Sequence, residues 1–86
     1  IGFDPIINTR YGLGTGSADL VGMIIPTGRV FCLEIKTPRG RATAEQLTWL
    51  STVRKHGGFA AIVRSVQDAV AAIDAAHAGL FDLETR

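Results

Sequence analysis

Asp19, Glu34 and Lys36 are the residues of this chain whose types and spacing could do chemistry together. Glu34 and Lys36 stand two apart in the otherwise apolar run RVFCLEIK, residues 29–36. Side chains alternate along a strand, so the two charges share a face, roughly 6–7 Å apart at about 3.3 Å per residue. Val30 and Cys32 take that same face, and Phe31, Leu33 and Ile35 take the other. An isolated buried charge is very costly, so the face must offer a partner, a metal or water. Two carboxylates held close together repel unless a cation sits between them, and hard oxygen ligands favour Mg2+ or Mn2+. A lysine beside them could stabilise charge on a phosphate or orient a metal-activated water. A cross-strand salt bridge from Lys36 to either acid is the plain alternative.

The second acid reaches the first through a hairpin. ADLVGMII, residues 18–25, reads as a strand, and PTG, residues 26–28, is turn chemistry: proline presets φ and glycine tolerates positive φ. Residues 18–36 are therefore an expected hairpin. With Ile24 opposite Arg29, Asp19 falls opposite Glu34. With Ile25 opposite Val30, it falls opposite Lys36. Either register puts Asp19 on the Glu34 face, and a one-residue slip sends it to the Ile35 face.

Further along, Thr43 to about His56 reads as a helix with Leu47, Leu50 and Val53 at helical spacing and Gly57-Gly58 as the stop. FAAIVR, residues 59–64, is a third strand. A second helix runs from about Val66 to Ala78, capped by Ser65 and ended by Gly79, with Val66, Ala69, Val70 and Ile73 as its apolar stripe. The helix between the last two strands is a crossover, so those strands run parallel in one sheet. The fold class is α/β, a small mixed sheet with flanking helices. Near the start, Asp4-Pro5 suggests an extended entry, and IINTRY, residues 6–11, is a further candidate strand.

The chain has 86 residues and is 47% hydrophobic. One domain over 1–86 is the expectation, and a homodimer interface would use the apolar surplus. No run approaches the roughly 20 apolar residues of a membrane span, and no signal-peptide pattern opens the sequence. The first residue is Ile1 rather than Met, which suggests trimming upstream. The single cysteine, Cys32, excludes an internal disulfide framework, fits a reducing cytosol and reads as a buried small hydrophobe. Net charge is +1, but residues 29–64 hold seven basic residues against two acidic ones, while 65–86 hold four acidic residues against Arg86. The middle of the chain is the half suited to a polyanion, although a solvated surface would look the same. The glycine-rich GLGTGS, residues 12–17, lacks the phosphate-loop lysine. No Ser–His–Asp, Cys–His or zinc spacing is present.

The segments GTGSADLVG, GRVFCLEIKTPRGRATAEQLTWL and HGGFAAIVRSVQDAV resemble the VRR-NUC branch of the PD-(D/E)xK nucleases, over about residues 12–73. The likeness is greatest to small stand-alone members common in phages and prophages. It implies a restriction-endonuclease-like core in the cytoplasm of a bacterial or phage-infected cell. Asp19 and Glu34 would be metal ligands for Mg2+ or Mn2+, the Ile35 carbonyl a third, and Lys36 the catalytic lysine. Gln46 matches a glutamine that lies near the active site in this branch. The resemblance further implies DNA as partner, a preference for branched DNA such as four-way junctions, and action as a homodimer. Two positions depart from the pattern: Ala18 precedes Asp19 where proline is usual, and only Asp4 stands upstream where an acidic residue on a helix is usual.

Around this core, other residues take weaker roles. Gln46 also completes a T-x-x-Q capping box with Thr43, and it shares a helix face with Leu50 and Val53. Arg39 and Arg41 flank Gly40 just past the lysine strand, where a loop could bring both guanidinium groups to a phosphate backbone. Lys55 and Arg64 are further candidate DNA contacts. His56 and His77 stand at helix ends, where a cation is simply favourable. Trp49 reads as core or dimer contact, and Ser17 as a turn hydroxyl. The second helix and GLFDL, residues 79–83, are the candidate dimer contact. The expected reaction is metal-dependent hydrolysis of a DNA phosphodiester, with water attacking phosphorus in line. Two rivals stand beside it: a DNA-binding module of the same fold that has lost efficient cleavage, and a purely structural α/β dimerisation domain.

Overall fold

The structure, a computed structural model, describes residues 3–7 and 19–83. In chain order the elements are β1 (Phe3–Ile7), β2 (Leu20–Ile24), β3 (Arg29–Ile35), α1 (Ala44–Lys55), β4 (Phe59–Val63) and α2 (Val66–His77). They form one mixed sheet in the order β1-β2-β3-β4. β1 and β2 pair antiparallel, as do β2 and β3, and β4 runs parallel to β3 across the α1 crossover. This is the small mixed α/β sheet with helices packed on it that the sequence pattern predicts. The first strand begins earlier than the candidate 6–11. Pro5 fits it because β1 is an edge strand, where a missing N–H costs no ladder bond. Residues 8–18, with the glycine-rich segment and Ser17, lie outside the described residues.

The β2–β3 hairpin closes as its turn chemistry dictates. Gly28 takes φ +76° and donates its N–H to Ile24 O at 2.8 Å. Ile24 pairs with Arg29 and Leu20 with Leu33, the first of the two registers weighed above.

Alternation along β3 then feeds two separate cores. Phe31 and Leu33 join Ile24, Phe59, Ala61 and Val63 under α2, which contributes Ala72 and Ala76. Paired Phe31 and Phe59 stack with ring centroids 5.3 Å apart. Cys32 and Ala60 face the other way, under Leu50 of α1, with Trp49 and Val53 around them. Burial pushes the Cys32 thiol up to about 11, against a smaller opposing pull from the Trp49 indole, so it is an inert core group.

Both helices start where their caps place them, but their buried faces are rotated from the expected ones. Along α1 the inward stripe is Trp49, Leu50 and Val53, and Leu47 is exposed. Along α2 it is Ala69, Ala72, Ile73 and Ala76, and Val66 and Val70 are exposed. The first turn of α2 is anchored twice: Ser65 Oγ accepts from Asp68 N, and Asp68 Oδ2 accepts from Arg64 N.

Arg29 fastens the far end of the fold. Its Nε donates to Gly57 O and its Nη1 to Ala76 O, both at 2.9 Å, while Nη2 donates to Leu80 O. The guanidinium also lies over the Phe81 ring, 4.8 Å from its centroid. Carbonyls at the ends of two helices thus share one cation, a favourable dipole arrangement. The tail beyond α2 is held further by Ala60 N donating to Phe81 O, and by Arg54, which pairs with Asp82 at 3.1 Å and donates to Ala60 O. Arg29→Ala should therefore cost about 2–3 kcal/mol, because carbonyls lose charge-assisted bonds. Urea unfolding measures the loss, and Arg29→Lys, which lacks the planar fork, should recover only a fraction of it.

Candidate active site

Where β2 stops, a side chain takes over the ladder. The last β2–β3 pair is Leu20 with Leu33, and one step beyond it Asp19 Oδ2 accepts from Ile35 N at 2.9 Å. Asp19 lies one residue beyond that last pair, and its carboxylate is near enough to Glu34 to act on it electrostatically. A strand residue's N–H and C=O point to one edge, so the Ile35 carbonyl also faces the side that Asp19 occupies.

Glu34 is the sole charged side chain among the buried residues described, at 1% exposure. Lys36 Nζ lies 3.1 Å from Glu34 Oε2, an ion pair by distance, yet neither Glu34 oxygen has a well-aligned hydrogen bond among the described residues. Burial holds the Glu34 carboxyl above the ordinary carboxylate range. Lys36 opposes that shift and the nearby Asp19 carboxylate reinforces it. A group of three or more His, Cys, Asp or Glu side chains arranged for a metal is absent among the described residues. The oxygens gathered here are those of two carboxylates and, by strand geometry, one carbonyl.

The remaining sequence candidates divide by the end of the sheet they occupy. A crossover helix begins near the C-terminal end of the strand it leaves, so the N-terminus of α1 and the end of β3 share one end of the sheet. Gln46 stands in that first turn, half-buried on the inward stripe. Its capping box is present: Gln46 Oε1 accepts from Thr43 N at 2.8 Å, and Gln46 N donates to Thr43 Oγ1 at 3.1 Å. Arg39 and Arg41 are exposed in the loop between Lys36 and α1. Arg64 follows β4 at the same end, with its guanidinium turned onto carbonyls of that loop. Lys55 is exposed at the opposite end, in the last turn of α1. His56 and His77 each pair Nδ1 with a carbonyl one turn back, at Thr52 and Ile73. An apolar cavity of about 400 Å3, lined by Val30, Trp49, Val53 and His56, opens at that far end and holds no carboxylate.

Sequence reasoning missed how many of the basic residues are structural. Arg29, Arg54 and Arg64 all spend their guanidinium groups on main-chain carbonyls, and Lys36 faces Glu34. Arg39, Arg41 and Lys55 make no hydrogen bond or ion pair among the described residues. The excess of positive charge in 29–64 is therefore mostly internal bracing.

The family model of the VRR-NUC domain matches residues 7–67, most of the chain. The chain belongs to the VRR-NUC family. VRR-NUC domains are nuclease domains and generally metal-dependent, so the chain is a nuclease domain whose partner is DNA. No curated protein and no solved structure matches it. Among the described residues, no helix is long and apolar enough to cross a membrane.

Glu34 makes stability depend on pH in a defined sense. A carboxyl whose folded value lies above its unfolded one favours folding while protonated, and that favour is lost as pH rises through the folded value. Metal-free protein should lose stability as pH climbs from the ordinary carboxylate range through the raised Glu34 value. Glu34→Gln should remove that slope. Urea midpoints measured at successive pH values in chelator compare the two proteins.

Proposed function

We propose that the chain is a DNA endonuclease that hydrolyses phosphodiester bonds with Mg2+ or Mn2+, using Asp19, Glu34, Ile35 and Lys36. The observation that carries this reading is the buried Glu34 carboxylate, whose oxygens lack aligned donors beside a second carboxylate. That is a donor set of hard oxygens fitted to a divalent cation. Asp19 would offer the oxygen not spent on Ile35 N, Glu34 either oxygen, and Ile35 its carbonyl. When bound, such a metal supplies Lewis-acid polarisation and lowers the pKa of a bound water.

The protein's own groups do the rest. Lys36 brings a cation to the site, where it would stabilise the charge that develops on a phosphate oxygen. Its ion pair with Glu34 keeps the ammonium beside the carboxylates rather than in solvent. Gln46, fixed by its capping box, would orient a water or substrate oxygen through its amide nitrogen. Arg39 and Arg41 would hold the backbone, with Lys55 an outlying candidate for it; Arg64, also expected to do so, spends its guanidinium on loop carbonyls instead. Each protomer holds one such site, so cutting both strands of a junction calls for two copies. The exposed Val66, Val70 and Phe81 support α2 and the tail as the homodimer contact. The family resemblance supports branched DNA as the preferred substrate.

A second reading, a binding module without efficient cleavage, is favoured by the small number of acidic ligands among the described residues. A magnesium titration against junction DNA separates the two. The nuclease reading expects metal-dependent cutting by the wild type and a loss of about 10²–10³ in rate for Lys36→Ala, the usual cost of removing one electrostatic stabiliser. A module that only binds shows no metal-dependent cutting in either protein. Thermal unfolding tests the metal separately: at 100 times its Kd the ion should stabilise the wild type by about 2.7 kcal/mol, and Glu34→Ala much less.

A further inference from the structure

Arg64 stands one residue past β4, and its guanidinium reaches across to the segment that follows Lys36. Its Nη1 lies 2.8 Å from Thr37 O and 2.6 Å from Gly40 O, with Pro38 O farther off at 3.5 Å. An Nη group carries two hydrogens, and the two short bonds use both. The base of this arm is itself fixed, since Arg64 N donates to Asp68 Oδ2 at 2.8 Å. Lys36 N donates to Val63 O at 3.0 Å, which ties the start of the segment to β4 as well. Inside the turn, Gly40 N donates to Thr37 O at 3.1 Å. A Cβ at Gly40 would lie 3.0 Å from Thr37 Oγ1, so the turn is already closely packed. Arg39 lies within this turn and Arg41 directly after it, both exposed.

We propose that Arg64 is a positioning residue rather than a DNA contact: it gathers the carbonyls of the Thr37–Gly40 turn so that Arg39 and Arg41 face one path of DNA phosphates. The proposal rests on the nuclease reading for its substrate. Carbonyl oxygens drawn toward one point repel each other unless a donor sits among them, and a planar, always-charged guanidinium supplies that donor. Phosphates then meet two arginines whose loop is already ordered, and less conformational entropy is lost on binding. Arg64 thereby links the end of β4 to the surface beside Lys36.

DNA affinity of the full chain, measured against salt, gives the test. Each phosphate contact adds about 0.9 to the slope of log K against log salt. Arg39→Ala and Arg41→Ala should each lower the slope by about that amount. Arg64→Ala should lower it by more than one contact's worth, and should change nothing further when added to the Arg39→Ala/Arg41→Ala pair. A fresh drop of about 0.9 on that background would make Arg64 a phosphate contact and overturn the proposal. Amide exchange decides the clamp without DNA. Protection of the Gly40 amide, which donates to Thr37 O, should fall in Arg64→Ala and in Arg64→Lys, which keeps the charge if the alanine variant folds poorly. Unchanged protection in the lysine variant would also overturn the proposal. Failure of the wild type to bind DNA at all would instead sink the nuclease reading, and exchange alone would then decide the clamp.

Discussion

The register of β2 against β3 is the constraint on which the site depends. Leu20 faces Leu33 and Ile24 faces Arg29, so Asp19 arrives beside Glu34 at the point where the ladder ends. That register is protected from two sides. The turn fixes it locally, through the positive φ of Gly28 and its bond to Ile24 O. The cores fix it globally, because each face of β3 lies under a different helix. A one-residue slip of β3 would send Glu34 into the apolar layer under α2 and bring Leu33 out of it. Burying a carboxylate there without a partner would cost several kcal/mol. The packing that stabilises the sheet therefore also brings the Asp19 carboxylate to the end of β3 beside Glu34.

Positive charge in this small domain is sorted by position. At the end of the sheet that holds the hairpin turn, Arg29 and Arg54 bond to carbonyls of helix ends, strand and tail. At the other end Lys36 sits by Glu34, Arg64 braces a loop, and Arg39 and Arg41 stay exposed. Guanidinium groups suit both tasks, since their forked donors match a pair of carbonyls as readily as a phosphate. Sequence alone cannot separate these uses, because the acceptors come from residues far along the chain. Arg29 reaches residues 28, 47 and 51 positions away.

The same distinction explains what was legible beforehand. Hairpin, crossover, helix limits and the alternation of β3 are written in nearest-neighbour chemistry: Pro and Gly at turns, Thr and Ser at caps, period two along strands. The Thr43–Gln46 capping box is such a feature and is present as expected. Which face a helix buries is a different kind of information. For α2 the valines at 66 and 70 are more hydrophobic than the alanines that are buried, yet Ala72 and Ala76 share the core with Phe31 and Phe59. Small residues let the helix approach a layer already filled by two phenylalanine rings, and bulk there would overpack it. On α1, Leu47 is likewise exposed, although there the inward side is taken by Leu50 with the bulkier Trp49 and by Val53.

Charge balance at the site bears on why a lysine is not enough. Two carboxylates and one ammonium leave the cluster with an excess of one negative charge when all are ionised. Such a cluster repels a phosphodiester, the very group a nuclease must approach. Protonating Glu34 would neutralise it, and burial pushes in that direction, but a protonated acid is a poorer ligand. A divalent cation held by Asp19 and Glu34 would resolve both difficulties at once. It would favour the ionised form of Glu34 and turn the excess from one negative charge to one positive. Lys36 would then be released from serving Glu34 alone, and its ammonium would be able to share an incoming phosphate. Without such a cation, the ion pair at 3.1 Å offsets only one of the two negative charges, which is why the lysine alone leaves the cluster unsuited to a phosphate.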